Sequence, residues 1–153
     1  MKLTALLLTL HILAATIWAG GMFAAYVCLR PAAGPLDGPA RFTLWRAFFA
    51  KFFIWVWVSV LLLISGYWML VTTFGGFAGA PLYINLMQTL GLIMVALFVW
   101  LFHGPWLKFK RAVDAKDYST AGIQLNRIRR IIMINMPLGL LVVAIGGTGR
   151  FWG

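Results

Sequence analysis

Four long hydrophobic runs, Leu3 to Leu29, Phe52 to Phe74, Leu82 to Leu107 and Ile131 to Gly147, are separated by charged or Gly- and Pro-containing connections. A hydrocarbon core about 30 Å thick is crossed by about 20 residues of helix, so each of the first three runs is long enough to span it. The fourth is shorter and borrows a preceding turn. Lipid offers no partner for backbone N–H and C=O groups, which forces each run to be helical. The expectation is an all-α integral membrane protein, a four-transmembrane-helix bundle in which residues 1–153 form one domain. Hydrophobic residues make up 63% of the chain and charged residues 10%, with a mean hydropathy of +0.93, which excludes an ordinary soluble domain. There is no internal repeat and no low-complexity tract.

The net charge of +10, taken alone, points to nucleic acid, but its distribution gives another reading. Arg30, Arg41, Arg46 and Lys51 follow the first run, and Lys108, Lys110, Arg111, Lys116, Arg127, Arg129 and Arg130 follow the third. The Gly75 to Pro81 turn between the second and third runs has no charge. By the positive-inside rule the two basic connections are cytoplasmic, and both termini face the outer, periplasmic side. Lys2 and Arg150 oppose this weakly. The charges therefore specify topology and attraction to anionic lipid headgroups, and nucleic acid is excluded as a partner.

Lys2 followed by an apolar stretch resembles a signal peptide. The stretch continues to Cys28 and ends at Arg30 and Pro31 without a small-residue cleavage site, so it reads as a retained span. Cys28 is the single cysteine, which excludes an internal disulfide or a CxxC pair. Pro31, Gly34, Pro35, Gly38 and Pro39 turn the chain, and Arg41 to Lys51 restarts it as an aromatic and basic segment suited to the membrane interface. The third connection reads as polar from Lys108 to Ser119, with Asp117 or Ser119 capping a helix that continues into the fourth span. Gly20, Gly21, Ala14, Ala15, Ala24 and Ala25 in the first span, with Gly139, Gly146 and Gly147 in the fourth, predict close helix approach. Trp18, Trp55, Trp57, Trp68 and Trp100 are bulky counterparts, equally fit to pack or to flank a flat cofactor.

No Asp, Glu, Lys or Arg lies in a span core, which argues against a carboxylate proton relay. Imidazole, thioether, thiol and amide groups remain, and thioether with imidazole suits Cu(I) while imidazole also suits haem iron. At a 1.5 Å rise, His11 lies about 28 Å from the Arg30 edge, and His103 about 8 Å from the Lys108 edge. One haem cannot use both. The same counting places His11, Met69 and Met87 at one depth as an outer metal site, with Tyr67, Trp68, Asn85 and Gln88 nearby. Near the inner edge it places His103, Met22, Met133, Met136 and Cys28. Pro137 frees the carbonyl of Met133, and Pro105 that of Leu101. Each methionine has the alternative of filling space in an apolar bundle.

The first span reads Leu10-His11-Ile12-Leu13-Ala14-Ala15-Thr16-Ile17-Trp18-Ala19-Gly20-Gly21-Met22-Phe23, then Leu29-Arg30-Pro31. This resembles the copper resistance protein D (CopD-like) family of bacterial inner-membrane proteins, and the resemblance continues through Arg41, Trp45, Phe48 to Trp57 and Ser65-Gly66. It implies a multi-pass protein of the bacterial inner (plasma) membrane that handles copper by uptake or transfer, with His11 as the matching ligand. Copper is then the cofactor or cargo, and a periplasmic copper chaperone and a second copy of the chain are the expected partners. An enzyme is not the first expectation. A more distant resemblance, to the HemJ-type protoporphyrinogen oxidase, rests on the early His and Trp and on Leu29-Arg30-Pro31. It implies haem b or porphyrin held by His11 in a membrane oxidoreductase. A third reading is an accessory subunit without a cofactor.

Overall fold

The computed structural model describes residues 2–152, which contain helices and no strand. Helices α1 (Leu3–Ala32), α2 (Gly38–Phe74), α3 (Leu82–Asp114) and α4 (Tyr118–Phe151) are each long and apolar enough to cross a membrane. They run up, down, up and down. One end of the bundle holds the termini and the 75–81 turn, and the other holds the arginine-rich connections. These are called the terminal end and the basic end below.

The helices exceed the hydrophobic runs at the basic end. The 37 residues of α2 extend about 55 Å, far more than a 30 Å hydrocarbon core. What the sequence presents as an interfacial segment after a break is one continuous helix. Asp37 accepts the Ala40 N–H at 2.8 Å, Pro39 occupies the first turn, and no Gly or Pro interrupts residues 40–65. The connection expected to be polar from Lys108 likewise remains helical to Asp114. Asp117 then accepts the Thr120 N–H at 3.0 Å and starts α4 thirteen residues before the fourth apolar run begins.

The reason is aromatic burial. Trp45, Phe49 and Phe53 recur every four residues, so they share a face of α2. Instead of sitting in the interface they are in the core, at 2%, 0% and 3% exposure. Trp45 stacks on Phe49 at 5.0 Å, Phe49 on Phe53 at 5.1 Å, and Phe53 meets Trp106 of α3 edge-on at 5.3 Å. Phe109 and Val113 of α3 and Leu125 and Ile128 of α4 complete the cluster. Arg46 and Asp114 pair across it at 2.6 Å. Each α-helical extension thus buries an apolar face and leaves its basic face outside.

Two π turns mark the prolines. Phe102–Trp106 contains Pro105, whose missing N–H the wider turn accommodates, and Ala24–Leu29 ends two residues before Pro31. At the other end Gly75 and Gly76 take positive φ of 70° and 106°, and their amides return to Val71 and Leu70. The small residues of the spans are used unequally. The Phe52 ring fills the place of a Cβ at Gly21, and Met94 and Met22 converge on Gly139, while Gly20 and Gly147 face open space. Trp55, Trp68 and Trp100 point outward, and Trp18 is buried.

Packing is uneven along the axis. Helix α1 lies along α2 and α4, and α3 lies along α4, while the α2 and α3 backbones stand apart and meet through long side chains. At the basic end large rings fill the gap between them. Toward the terminal end it stays open.

Candidate functional site

That gap is a chamber of about 420 Å³. α1 contributes His11, Ala15, Trp18 and Ala19; α2 contributes Val60, Leu63, Ile64 and Tyr67. From α3 come Met87, Gln88, Leu92 and Met94, and from α4 Gly139 and Val142. Phe77, from the 75–81 turn, closes the terminal end, and its carbonyl accepts from Asn85 Nδ2 at 2.9 Å. One amide of α3 therefore holds the turn over the chamber. The lining is apolar apart from His11, Gln88 and Tyr67. Volume and polarity match sites for organic molecules, which use a few convergent polar groups on an apolar wall.

The chamber has a side opening. Ile64 and Tyr67 on α2 and Leu92 on α3 are 59%, 57% and 64% exposed while also lining it. They flank the gap between the two helices, on the circumference of the bundle.

His11 is the chemical centre. The Nδ1–Cε1 edge of its ring lies over Gly66 of α2, where an added Cβ would stand 2.6 Å and 2.5 Å from those atoms. Gln88 Nε2 is 3.5 Å from the same point. Glycine at 66 is what lets the imidazole sit between α1 and α2. Next to Gly66, the single Ser65 Oγ proton is shared between the Leu62 carbonyl of its own helix at 2.6 Å and the Leu7 carbonyl of α1 at 3.3 Å, a contact that ties the two helices. His11 Nδ1 is buried without a hydrogen-bond partner. Buried ring nitrogens are ordinarily satisfied, so this one calls for a functional account.

Of the outer site read from the sequence, His11 and Met87 line the chamber and Met69 does not. Met87 Sδ also packs against Gly146, 2.9 Å from the position of an added Cβ. Of the inner group, Met22 is buried in the core at 2% exposure and Met136 packs partly buried against it. Met133, Cys28 and His103 are exposed, and His103 Nδ1 lies 3.0 Å from the Val99 carbonyl of its own helix. None of these five residues lines the chamber. Among the described residues no three His, Cys, Asp or Glu side chains gather as a metal site. Met94 of α3 also lines the chamber. Its spacing of seven from Met87 puts both on one face of α3, about 10 Å apart along the axis. Met94 and Met22 then meet over Gly139, their ε-methyls 3.1 Å and 3.3 Å from its added-Cβ position.

Fold and site together define a four-helix protein of multi-pass membrane type with an apolar chamber between its helices. Comparison with known protein families, curated sequences and solved structures returns no match.

Proposed function

We propose that this is an inner-membrane protein that takes a flat apolar prosthetic group, haem b or a related porphyrin, into the chamber, with His11 as the iron ligand. The observation that carries the reading is the His11 imidazole on the wall of a 420 Å³ apolar chamber, its Nδ1 edge seated against Gly66. A metal ion alone needs a small cage of ligands, whereas this volume suits an organic ligand. The side opening supports the same reading, since a molecule dissolved in the bilayer reaches the chamber between α2 and α3 without crossing water. The lining fits the porphyrin ring; among the described residues no Lys or Arg lines the chamber, so the two propionates of haem b would have to lie at its side opening. His11 supplies an imidazole, Met87 a thioether of the kind that completes His/Met haems, and Trp18 and Tyr67 supply aromatic walls. Bound haem would supply one-electron chemistry, while the chain holds it, excludes water and tunes it through the apolar wall. The arginine-rich connections support an orientation with the basic end toward the cytoplasm and the chamber toward the periplasm.

The methionines support a second reading, copper handling. Met87, Met94 and Met22 form a succession of thioethers inward from the level of His11, and soft thioethers with imidazole select Cu(I). In that reading a periplasmic chaperone would deliver the ion at the terminal end. One experiment separates the readings: an absorption spectrum and metal analysis of the same purified sample, wild type and His11→Ala. Haem gives a Soret band that His11→Ala loses. Copper in stoichiometric amount without a Soret band, lost in Met87→Leu with Met94→Leu, selects the second reading. Full loading of His11→Ala would overturn both, and an empty wild type from haem- and copper-replete cells would leave an accessory subunit.

A further inference from the structure

The protein has two histidines, and their rings are held differently. His103 Nδ1 lies 3.0 Å from the Val99 carbonyl, four residues back on its own helix. A carbonyl only accepts, so Nδ1 of His103 carries the ring proton. The corresponding carbonyl for His11 is that of Leu7. It faces Ser65 Oγ of α2 at 3.3 Å, while the Nδ1–Cε1 edge of the His11 ring is seated against Gly66. His11 Nδ1 is therefore buried without a partner on its own helix. The buried nitrogen is Nδ1, which leaves Nε2 as the one through which the ring meets a ligand in the chamber.

One side chain stands where it can answer Nδ1. Gln88 of α3 lines the chamber, and its Nε2 is 3.5 Å from the position of an added Cβ at Gly66, a position 2.6 Å from His11 Nδ1. Amide and imidazole thus flank one point, where α1, α2 and α3 come together. Gln88 is half-buried and has the chamber to turn in. Its amide carries both an acceptor and donors, so rotation brings either Oε1 or Nε2 to the ring. Which atom arrives decides what His11 can do. With Gln88 Oε1 accepting, the His11 proton sits on Nδ1 and the Nε2 lone pair is free for a metal. With Gln88 Nε2 donating, the proton moves to the chamber side of the imidazole and that lone pair is lost to a metal.

We infer that Gln88 is the positioning residue of His11: its Oε1 accepts the Nδ1–H, fixes the tautomer and presents the Nε2 lone pair to the chamber. The inference rests on His11 as the metal ligand proposed above. Ligating histidines hand their other N–H to a carboxylate, a carbonyl or water, which orients the ring and strengthens it as a donor to the metal. Among the residues lining the chamber only Gln88 and Tyr67 carry a side-chain oxygen, and Gln88 is the one beside Gly66. The closure also gives α3 a polar link to α1 across the gap that separates it from α2.

The test reads the tautomer directly, by NMR of isotopically labelled histidine nitrogens in the full chain, in detergent and free of haem, at a pH where imidazole is neutral. His103 supplies the Nδ1–H reference, and His11→Ala identifies the remaining signals. His11 should be in the Nδ1–H form. Gln88→Met, which keeps the length but removes the acceptor, should convert it to a mixture, and Gln88→Glu, which keeps an oxygen in the same place, should preserve it. In haem-loaded protein Gln88→Met should weaken haem retention about ten- to a hundredfold and raise the reduction potential, since the ring donates less to the iron. A Gln88 that only packs would change stability and neither tautomer nor potential. An Nε2–H form in the wild type, or an Nδ1–H form unaltered in Gln88→Met, would overturn the inference even where a Soret band shows haem bound. The expected tautomers in a protein that takes up no haem would keep Gln88 as the partner of His11 and remove the haem reading instead. Should Gln88→Met fail to fold, Gln88→Glu carries the test, because a changed acceptor must shift the Nδ1 proton and an unmoved resonance would overturn the inference.

Discussion

Gly66→Ala is the substitution that most directly probes how the chamber holds its histidine. The added methyl would stand 2.5 Å from Cε1 and 2.6 Å from Nδ1 of His11, where ordinary contact begins near 3.4 Å. The imidazole must retreat by about 1 Å, and overpacking of this kind costs about 1–3 kcal/mol. In a helix alanine otherwise outranks glycine by up to about 1 kcal/mol, so the two effects oppose. They separate in a double-mutant cycle. Gly66→Ala should destabilise the wild-type protein, and should be neutral or stabilising in His11→Ala, where the ring is gone. The coupling between the sites should be about 2 kcal/mol. Reversible unfolding in mixed detergent micelles gives the four stabilities, and ligand absorbance on the same samples reports whether the displaced ring still binds. Equal effects of Gly66→Ala in the two backgrounds would refute the packing argument.

Leu92→Trp fills the gap between α2 and α3 from an exposed position, so haem incorporation from preloaded liposomes should slow while thermal stability holds; an unchanged rate would move the route elsewhere. Asn135, buried with its Nδ2 3.3 Å from the Met94 carbonyl and its Oδ1 unanswered, should tolerate leucine within about 1 kcal/mol, measured by the same unfolding assay. Asp117 is held below the usual carboxylate range by its hydrogen bonds from Thr120. Its contribution is therefore complete above the unfolded-state value and lost as pH falls through the lowered folded value. Protection of the Thr120 amide against hydrogen exchange, corrected for the intrinsic pH dependence of exchange, should fall on acidification, and Asp117→Asn should remove that dependence. Alkaline phosphatase fused after Gly153 should be active and a cytoplasm-dependent reporter in the same place inactive; the reverse result would invert the bundle.

The spans and their order could be read from hydropathy because lipid imposes helix on any long apolar run. The extensions could not, since residues 41–51 read as an interfacial segment and residues 108–114 as a polar connection. They are helical because Trp45, Phe49, Phe109 and Val113 find partners on other helices, which is information about pairs and not about segments. His11 and Met87 were brought to one depth by counting residues, and they do line one chamber. Counting fixes depth but not rotation, and rotation is what leaves Met69 outside and turns Cys28 and Met133 outward. The chamber itself had no signature. It exists because α2 and α3, although neighbours in sequence joined by a short turn, pack against other helices in preference to each other.

The aromatic cluster also fixes where an electric field would fall. Rings from Phe98 to Trp45 and Phe109 fill the bundle between the chamber and the basic end, and an apolar, ring-filled layer is an insulator. The chamber is apolar too, so in the proposed orientation the membrane voltage drops across both, but His11 lies at the chamber's periplasmic end, near the start of the drop. A charge that crosses the whole membrane changes energy by about 2.3 kcal/mol per 100 mV, but a charge that stops at His11 crosses only a small part of the drop. Ligand capture should therefore be nearly indifferent to whether the membrane is energised, and an electron that leaves a bound haem has its shorter insulated path toward the periplasm.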